Sequence, residues 1–189
     1  MHVLRIATGA LLLCISFTLY SGEIEYARST HDGGEYEVEI SAKLYGNWHD
    51  IYRVATDFEH LSRLSDLIVD SGVLKNENTD RPDDVRRWLI TRICFPFYCF
   101  SAKLVEDVQF DGSNIIKTRI VPEDSDFEYG EAEWQINPDG DDDTVISFQS
   151  RFKPAFWIPP LIGPILVKRI MVDATSQTIL AMEQIVRDK

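Results

Sequence analysis

Positive charge is scarce in this chain of 189 residues, which has 19 Lys and Arg against 31 Asp and Glu and a formal net charge of −12. Such a surface repels phosphate backbones, so we expect no nucleic-acid partner. The charge is uneven, because several basic residues lie beside aromatic turns while other turns are rich in Asp. A molecule polarised in this way can turn its less acidic end toward a membrane. The basic residues beside the aromatic turns are Arg92, Lys103, Arg151, Lys153, Lys168 and Arg169.

Motifs of catalysis are scarce as well. The chain has no G-x-S-x-G, no H-E-x-x-H, no phosphate-cradling glycine loop and no dinucleotide fingerprint. Its histidines have neither metal-ligand nor triad spacing, and the acidic turn Asn137 to Asp143 lacks the closing glutamate of a calcium loop. The sequence therefore predicts no catalytic residue, no metal site and no cofactor. A binding protein is favoured over an enzyme.

Cysteine is limited to three residues, of which Cys14 lies in the apolar N-terminal segment. Cys94 and Cys99 bracket a short hairpin loop, so they would lie opposite each other across two strands. In an oxidising compartment we predict a disulfide between them. A pair of buried thiols is the alternative.

Residues 1–22 have the pattern of a secretory signal peptide. Arg5 supplies a positive charge near the start, Ile6 to Tyr20 is an apolar run, and small and then charged residues follow. Leu19 and Tyr20 occupy positions where a signal-peptide cleavage site has small residues. An uncleaved N-terminal membrane anchor is therefore the alternative. In either case we expect an exported protein, periplasmic or anchored on the outer face of the inner membrane.

The remaining sequence predicts a flexible linker at 23–34 and one α+β domain at 35–187. Glu35 to Ser41 alternates acidic and apolar residues, which is typical of a strand with one buried face. Two short helical segments follow, then further strands joined by short turns. Pro159 to Arg187 carries the apolar stripe of one long amphipathic helix. We predict a curved antiparallel sheet of about seven strands wrapped around this helix.

The turns between the predicted strands alternate in chemistry. Every second turn of an antiparallel meander lies at the same end of the sheet, so the aromatic turns should gather at one end. Aromatic loops are costly to leave in water unless they contact a ligand, a membrane or a partner. This aromatic end is therefore the candidate functional end. The acidic or polar turns are Asn76 to Asp84, Phe110 to Asn114 and Asn137 to Asp143, and the aromatic, proline-bearing turns are Cys94 to Cys99, Val121 to Phe127 and Phe152 to Pro160.

The passage from Val54 to Leu64, followed by Val69 to Leu74, resembles the helix-to-strand passage of the START-like, or SRPBCC, superfamily. That superfamily includes polyketide cyclases and coenzyme Q-binding proteins. The resemblance implies a helix-grip fold, in which the sheet wraps the terminal helix and leaves a cavity for an apolar ligand. It also implies that the cavity mouth lies among the three aromatic turns. Ser62 to Ser65 departs from the proline and aromatic residue typical of coenzyme Q-binding members, which argues against quinone binding.

Strand alternation indicates which side chains face the helix. Small residues among bulky ones on a concave face leave volume, so we predict a ligand cavity. A packed interior, in which the small residues let the helix approach, is the alternative. The predicted pocket residues are Trp88, Ile90, Phe100, Ala102, Leu104, Ile116, Thr118, Ala132, Trp134 and Phe148 on the strands and Ile165, Val172 and Ile179 on the helix.

These observations predict a carrier for a hydrophobic small molecule, lipid-like or isoprenoid-like, with an aromatic mouth that touches a membrane. The alternative for the mouth is a lid of aromatic side chains that pack against one another. Two other functions stay open: a cyclase-, aromatase- or hydrolase-like enzyme, which would need a buried ionisable residue, and a protein-interaction module that uses the aromatic end. The predicted mouth residues are Phe95, Phe97, Tyr98, Phe156 and Trp157.

Overall fold

The structure of the protein, a computed structural model, describes residues 21–74, 85–95, 98–112, 114–160 and 163–188. Eight strands form one antiparallel sheet in the order β1-β2-β8-β7-β6-β5-β4-β3. The strands are β1 (Glu23–Asp32), β2 (Glu35–Tyr45), β3 (Ile68–Leu74), β4 (Val85–Phe95), β5 (Tyr98–Asp111), β6 (Ile115–Ile120), β7 (Phe127–Asp139) and β8 (Asp143–Pro154). The helices are α1 (Trp48–Ala55) and α2 (Gly163–Arg187), with short 3₁₀ helices at Leu61–Arg63 and Pro122–Asp124.

This architecture confirms the predicted α+β helix-grip fold, with a curved antiparallel sheet and a long C-terminal helix. The seven predicted strands correspond to β2 through β8, and the two short helical segments after the first of them are α1 and the 3₁₀ helix Leu61–Arg63. Asn47 is the N-cap of helix α1, and its side chain accepts a hydrogen bond from the His49 N–H at 3.0 Å.

The prediction of a flexible linker at 23–34 is wrong, because residues 23–32 form β1 and pair with β2. The strand was missed because it is an edge strand with mostly polar, exposed side chains. Its signal was the following turn, in which Gly33 and Gly34 have φ values of 56° and 88°. Two consecutive residues with positive φ are what a tight hairpin turn requires, and glycine adopts them at no steric cost.

Helix α2 packs unevenly along its length. Thr175, Ile179 and Met182 in its second half are buried, whereas Ile165 in the first turn is 68% exposed. The helix comes closest to β1, β2 and α1, which lie at one side of the sheet. Its second half is therefore the anchored half. Within the described residues, no helix is both long and apolar enough to span a bilayer.

The end of the sheet opposite the aromatic turns is held by acidic residues. The Lys43 Nζ lies 2.7 Å from an Asp139 carboxylate oxygen and 3.2 Å from Asp143. Hydrogen bonds to Asp139 and then to Asp143 raise the pKa of Lys43 above its ordinary value. The Gly46 N–H donates to the Asp142 carbonyl at 2.7 Å, which ties the end of β2 to the β7–β8 turn.

A buried acid on α2 fixes the helix to this end of the sheet. Glu183 is only 3% exposed, and its carboxylate accepts from the Tyr45 backbone N–H and from Arg187, each at 3.0 Å. A side chain at Gly22 would overlap Glu183 and Leu44, so the chain approaches the helix here without a side chain between them.

We expect Glu183→Leu to lower the free energy of unfolding by about 1–3 kcal/mol, because the hydrogen bond between the Tyr45 N–H and the Glu183 carboxylate is lost in a partly buried place. Glu183→Gln keeps an oxygen acceptor and should cost clearly less. Urea denaturation of both variants checks this. Equal losses for the two variants would contradict the assigned hydrogen bond.

Candidate ligand site and its aromatic end

Asp126 ties together three parts of the chain at the aromatic end. Its N–H donates to the Lys103 carbonyl at 2.9 Å, and its carboxylate accepts from the Lys103 N–H at 2.7 Å. Its carbonyl accepts from the Ala155 N–H at 3.0 Å. The turn before β7 is thereby tied to β5 and to the segment between β8 and α2, as the alternation of the turns predicts.

Five aromatic rings form a continuous row along this end, which we call the aromatic row. The members are Tyr36, Phe152, Phe127, Phe156 and Phe100, and the distances between successive ring centroids are 5.5, 5.9, 5.8 and 4.3 Å. Burial raises the pKa of the Tyr36 hydroxyl. The row joins β2, β8, β7, the β8–α2 segment and β5, so this end is held by ring contacts as well as by backbone hydrogen bonds.

The predicted mouth residues differ in their placement. Phe97 lies outside the described residues, and Phe95 and Tyr98 occupy opposed positions at the end of the β4–β5 ladder. Phe156 is partly buried within the aromatic row, as the lid alternative describes. Trp157 is 79% exposed and is the largest exposed apolar side chain of the described chain.

Cys94 and Cys99 are joined by a disulfide, with their Cα atoms 4.0 Å apart. They are paired in the β4–β5 register, and both residues are exposed. The bond therefore fastens the end of this hairpin beside the aromatic row.

Most of the predicted pocket residues lie on the concave face of the sheet. The pairing registers align these residues on one face across neighbouring strands. All of them are either buried or packed against the core. The buried ones are Ala102, Ile116, Thr118 and Phe148, and the partly accessible ones are Phe100, Leu104, Ala132 and Trp134.

The prediction that Trp88 and Ile90 line the pocket is wrong, because both side chains lie on the outer face of the sheet. Trp88 pairs with Val105, and its indole covers Gly72 so closely that a Cβ there would lie 2.8 Å from Nε1. Strand β4 has apolar residues at both odd and even positions, so alternation alone could not decide its orientation. The inward residues of β4 include Arg87 and Leu89 instead.

The three predicted pocket residues on α2 differ in how deeply they are buried. Ile179 is fully buried, Val172 is partly buried, and Ile165 points to solvent with 68% exposure. The prediction that Ile165 lines the pocket is therefore wrong. Val167 and Met171 are the residues of the first half of α2 that pack against the core while staying partly accessible.

The concave face holds a buried ion pair that sequence reasoning missed. The Arg87 Nε and Nη2 donate to one oxygen of Glu106 at 2.9 and 2.8 Å, and the Thr118 hydroxyl donates to the other oxygen at 3.1 Å. The side chains of Arg87 and Glu106 are 12% and 9% exposed. The guanidinium carbon lies 4.8 Å from the centroid of the Phe58 ring.

The ion pair has more hydrogen-bond donors than acceptors. Both Glu106 oxygens have donors, whereas the guanidinium carries five N–H groups, of which Glu106 takes two. The remaining donors favour a ligand oxygen, from a carbonyl, hydroxyl or carboxylate group. A buried ion pair adds little to stability compared with apolar packing, so a binding use is a reasonable hypothesis for its presence.

A groove of about 520 Å³ lies on the opposite, outer face of the sheet. Its rims are two rows of charged and polar side chains that include Glu37, Glu131 and Arg119 on one side and Glu133 and Lys117 on the other. This groove is not the predicted cavity between sheet and helix. In the described part of the chain, no group of three or more His, Cys, Asp or Glu side chains could hold a metal ion.

The protein family described as "Polyketide cyclase / dehydrase and lipid transport" matches residues 48–174. The chain belongs to this family. The match spans α1, the sheet from β3 to β8 and the first half of α2, so it includes both Arg87 and Glu106. No curated protein matches the sequence.

Solved structures share the fold of this polyketide cyclase and lipid transport family member. A START superfamily protein from Mycobacterium smegmatis is 20% identical, with 80% of this chain and 97% of that chain covered and a TM-score of 0.63. The Zhui aromatase/cyclase from Streptomyces sp. R1128 is 10% identical, with coverages of 81% and 94% and a TM-score of 0.66. A STAR-related lipid transfer protein from Xanthomonas axonopodis is 17% identical, with coverages of 85% and 98% and a TM-score of 0.58. These likenesses show the fold.

Two adjacent arginines allow the energetics of the buried pair to be tested. We expect Arg87→Met to lower the free energy of unfolding by about 3–5 kcal/mol, because Glu106 is left buried without its cation. The double variant Arg87→Met/Glu106→Leu should recover much of that loss.

Arg86 provides the matched control. It pairs with Asp107 at 2.7 Å on the outer face, where the two side chains are 29% and 40% exposed. The hydrogen bond to Asp107 raises the pKa of Arg86, yet Arg86→Met should cost no more than about 1 kcal/mol, because solvent screens exposed pairs. Denaturant unfolding gives both values, and similar costs at the two positions would refute the buried assignment.

Proposed function

We propose that this domain binds and carries a hydrophobic small molecule, lipid-like or isoprenoid-like, between the concave face of the sheet and the first half of α2. The observation that carries the proposal is a largely apolar concave face that holds, among the described residues, the buried ion pair of Arg87 and Glu106, in a member of the polyketide cyclase, dehydrase and lipid transport family. Apolar chain buried there stabilises a complex by about 0.8 kcal/mol per methylene group.

Residues on both sides of this space support the proposal. Leu104 and Trp134 on the sheet and Met171 on the helix pack against the core but stay partly accessible. Side chains between a sheet and its covering helix are normally sealed by packing, so their accessibility marks a less tightly filled region.

The ion pair gives the ligand a preferred polarity. The pair as a whole is neutral, and the guanidinium donors that Glu106 does not take belong to Arg87. A neutral ligand oxygen is therefore favoured over a cationic group, and a carboxylate would add a net negative charge to a nearly buried place. We propose a ligand with a long apolar part and one hydroxyl or carbonyl group.

The aromatic end is the proposed route for the ligand. Trp157 and Ile165 are 79% and 68% exposed and lie on either side of the start of α2. Arg169, with a side chain 81% exposed, lies on the same part of the helix. Exposed apolar side chains beside a cation suit contact with a membrane surface, and Trp is favoured at that boundary.

We also propose that the protein acts outside the cytoplasm, exported by its apolar leader at 1–22. The Cys94–Cys99 disulfide supports this assignment, because disulfides persist in oxidising compartments. Whether the leader is removed or retained as an anchor changes the attachment of the domain and not its binding site.

An enzyme of the cyclase or aromatase type is the second candidate. The specific observation in its favour is the same buried ionisable pair, because a catalytic site needs such a group, whereas a carrier uses it only to hold the ligand. Arg87, held in place by Glu106, would then polarise a carbonyl of an apolar substrate. The two functions differ in whether the bound molecule leaves chemically changed.

Mass spectrometry of small molecules that co-purify with the protein tests the carrier function. We expect a hydrophobic molecule of one chemical class, returned unchanged after incubation. The stable double variant Arg87→Met/Glu106→Leu should bind it at least about tenfold more weakly, since a charge-assisted hydrogen bond contributes about 1.5–3 kcal/mol. Recovery of no hydrophobic molecule would reject the carrier, and recovery of a converted product would favour the enzyme.

Liposome flotation tests the membrane step. We expect Trp157→Ser to reduce membrane association several-fold while leaving the thermal transition nearly unchanged, because this side chain is 79% exposed. Tyr26→Ser, at an exposed aromatic residue of edge strand β1, is the matched control and should not alter association. Equal loss in both variants would exclude a specific role for Trp157.

A further inference from the structure

The β4–β5 hairpin extends beyond its neighbours at the aromatic end. Strand β5 pairs with β4 along residues 98–108, but with β6 only along 106–111. The turn between β6 and β7 replaces β6 for the next residues, through hydrogen bonds to the carbonyls of Val105 at 2.8 Å and Lys103 at 2.9 Å. The sheet thus narrows toward this end.

The other side of the hairpin loses its neighbour as well. Strand β3 pairs with β4 as far as Thr91, and the Arg92 N–H donates to the Leu67 carbonyl at 2.8 Å. Beyond these points, residues 93–95 and 98–102 have ladder partners only within the β4–β5 hairpin among the described residues. We call these two segments the arm. A ribbon of two strands is only marginally stable in water without further support.

Among the described side chains of the arm, Phe100 makes a ring contact with the rest of the aromatic end. Phe100 lies 4.3 Å from Phe156, centroid to centroid, and Phe156 directly precedes the exposed Trp157. The position of the arm is therefore coupled to the segment that leads into α2.

The disulfide lies within this weakly supported arm. Cys94 and Cys99 connect its two strands, and both residues are exposed, so a thiol in solution can reach them. The bond supplies to the arm a constraint that the rest of the sheet obtains from neighbouring strands. Exposed disulfides belong to the more readily reduced class.

We propose that the Cys94–Cys99 disulfide is a reversible modification site through which a dithiol reductant frees the arm and opens the aromatic end. One thiolate of the reductant attacks a sulfur of the pair, which breaks the S–S bond and gives a mixed disulfide and one free cysteine thiolate. The second thiolate of the reductant then displaces the other cysteine. Two electrons and two protons pass to the pair, which becomes two thiols, and the dithiol becomes a disulfide.

Hydrogen exchange followed by mass spectrometry tests the inference on the full chain, oxidised or reduced with dithiothreitol. Reduction should speed amide exchange at residues 98–102 by at least about tenfold, with a smaller increase at 155–158 and little change in β7 and β8. The variant Cys94→Ser/Cys99→Ser should exchange like the reduced protein with or without dithiothreitol. Exchange in the arm that is unchanged by reduction would overturn the proposal.

The opening step rests on the proposed function and needs a second readout. Release of a dansyl-labelled long-chain alcohol, measured by stopped-flow fluorescence, should be several-fold faster from the reduced protein and insensitive to dithiothreitol in the double serine variant. Faster exchange with unchanged release would overturn the opening of the end. An oxidised protein that binds no labelled alcohol would count against the proposed function, while the exchange comparison still decides whether the arm is freed.

Discussion

The packing of the second half of α2 against one side of the sheet is the constraint on which the rest of the molecule depends. Ile179 and Met182 are buried there, and Glu183 adds a hydrogen bond to the end of β2. Because the helix is a rigid rod, fixing this half decides where its first half lies. The first half projects toward the aromatic end with Ile165 exposed, and the space beside it becomes the candidate ligand site.

The concave face shows how one strand can serve two environments. Arg86 and Arg87 are neighbours in β4, and each pairs with an acid of β5, yet one pair is exposed and the other nearly buried. The side chains of successive residues point to opposite faces of a strand, so a single step along the chain changes the setting of the same chemical pair. The outer pair adds charge to the surface, whereas the inner pair places two charged groups on a largely apolar face.

Much of the fold could be predicted because strand alternation and helical periodicity report burial directly. Strands β2 through β8 and α2 were found in this way. Strand β1 was missed since an edge strand with polar side chains lacks that signal, although the Gly33-Gly34 turn offered another one. In physical terms, hydrophobic pattern detects packing and cannot detect a strand held mainly by its ladder.

The candidate site was less predictable. The inward positions of β5 through β8 followed from alternation, but β4 carries apolar side chains on both faces, so Trp88 and Ile90 were assigned to the wrong one. The same error hid Arg87, because a charged residue is not expected to face the interior without a partner. Only the pairing of β4 with β5 shows that Glu106 is there to meet it.

The order of the strands leaves β1 and β3 at opposite edges, without hydrogen bonds to each other. A closed barrel fixes its own radius, because every strand is bonded on both sides. This open sheet has no such requirement, so its curvature can relax slightly while every ladder bond is kept. If the proposed site binds a ligand, the same backbone would thereby adapt to ligands of different width.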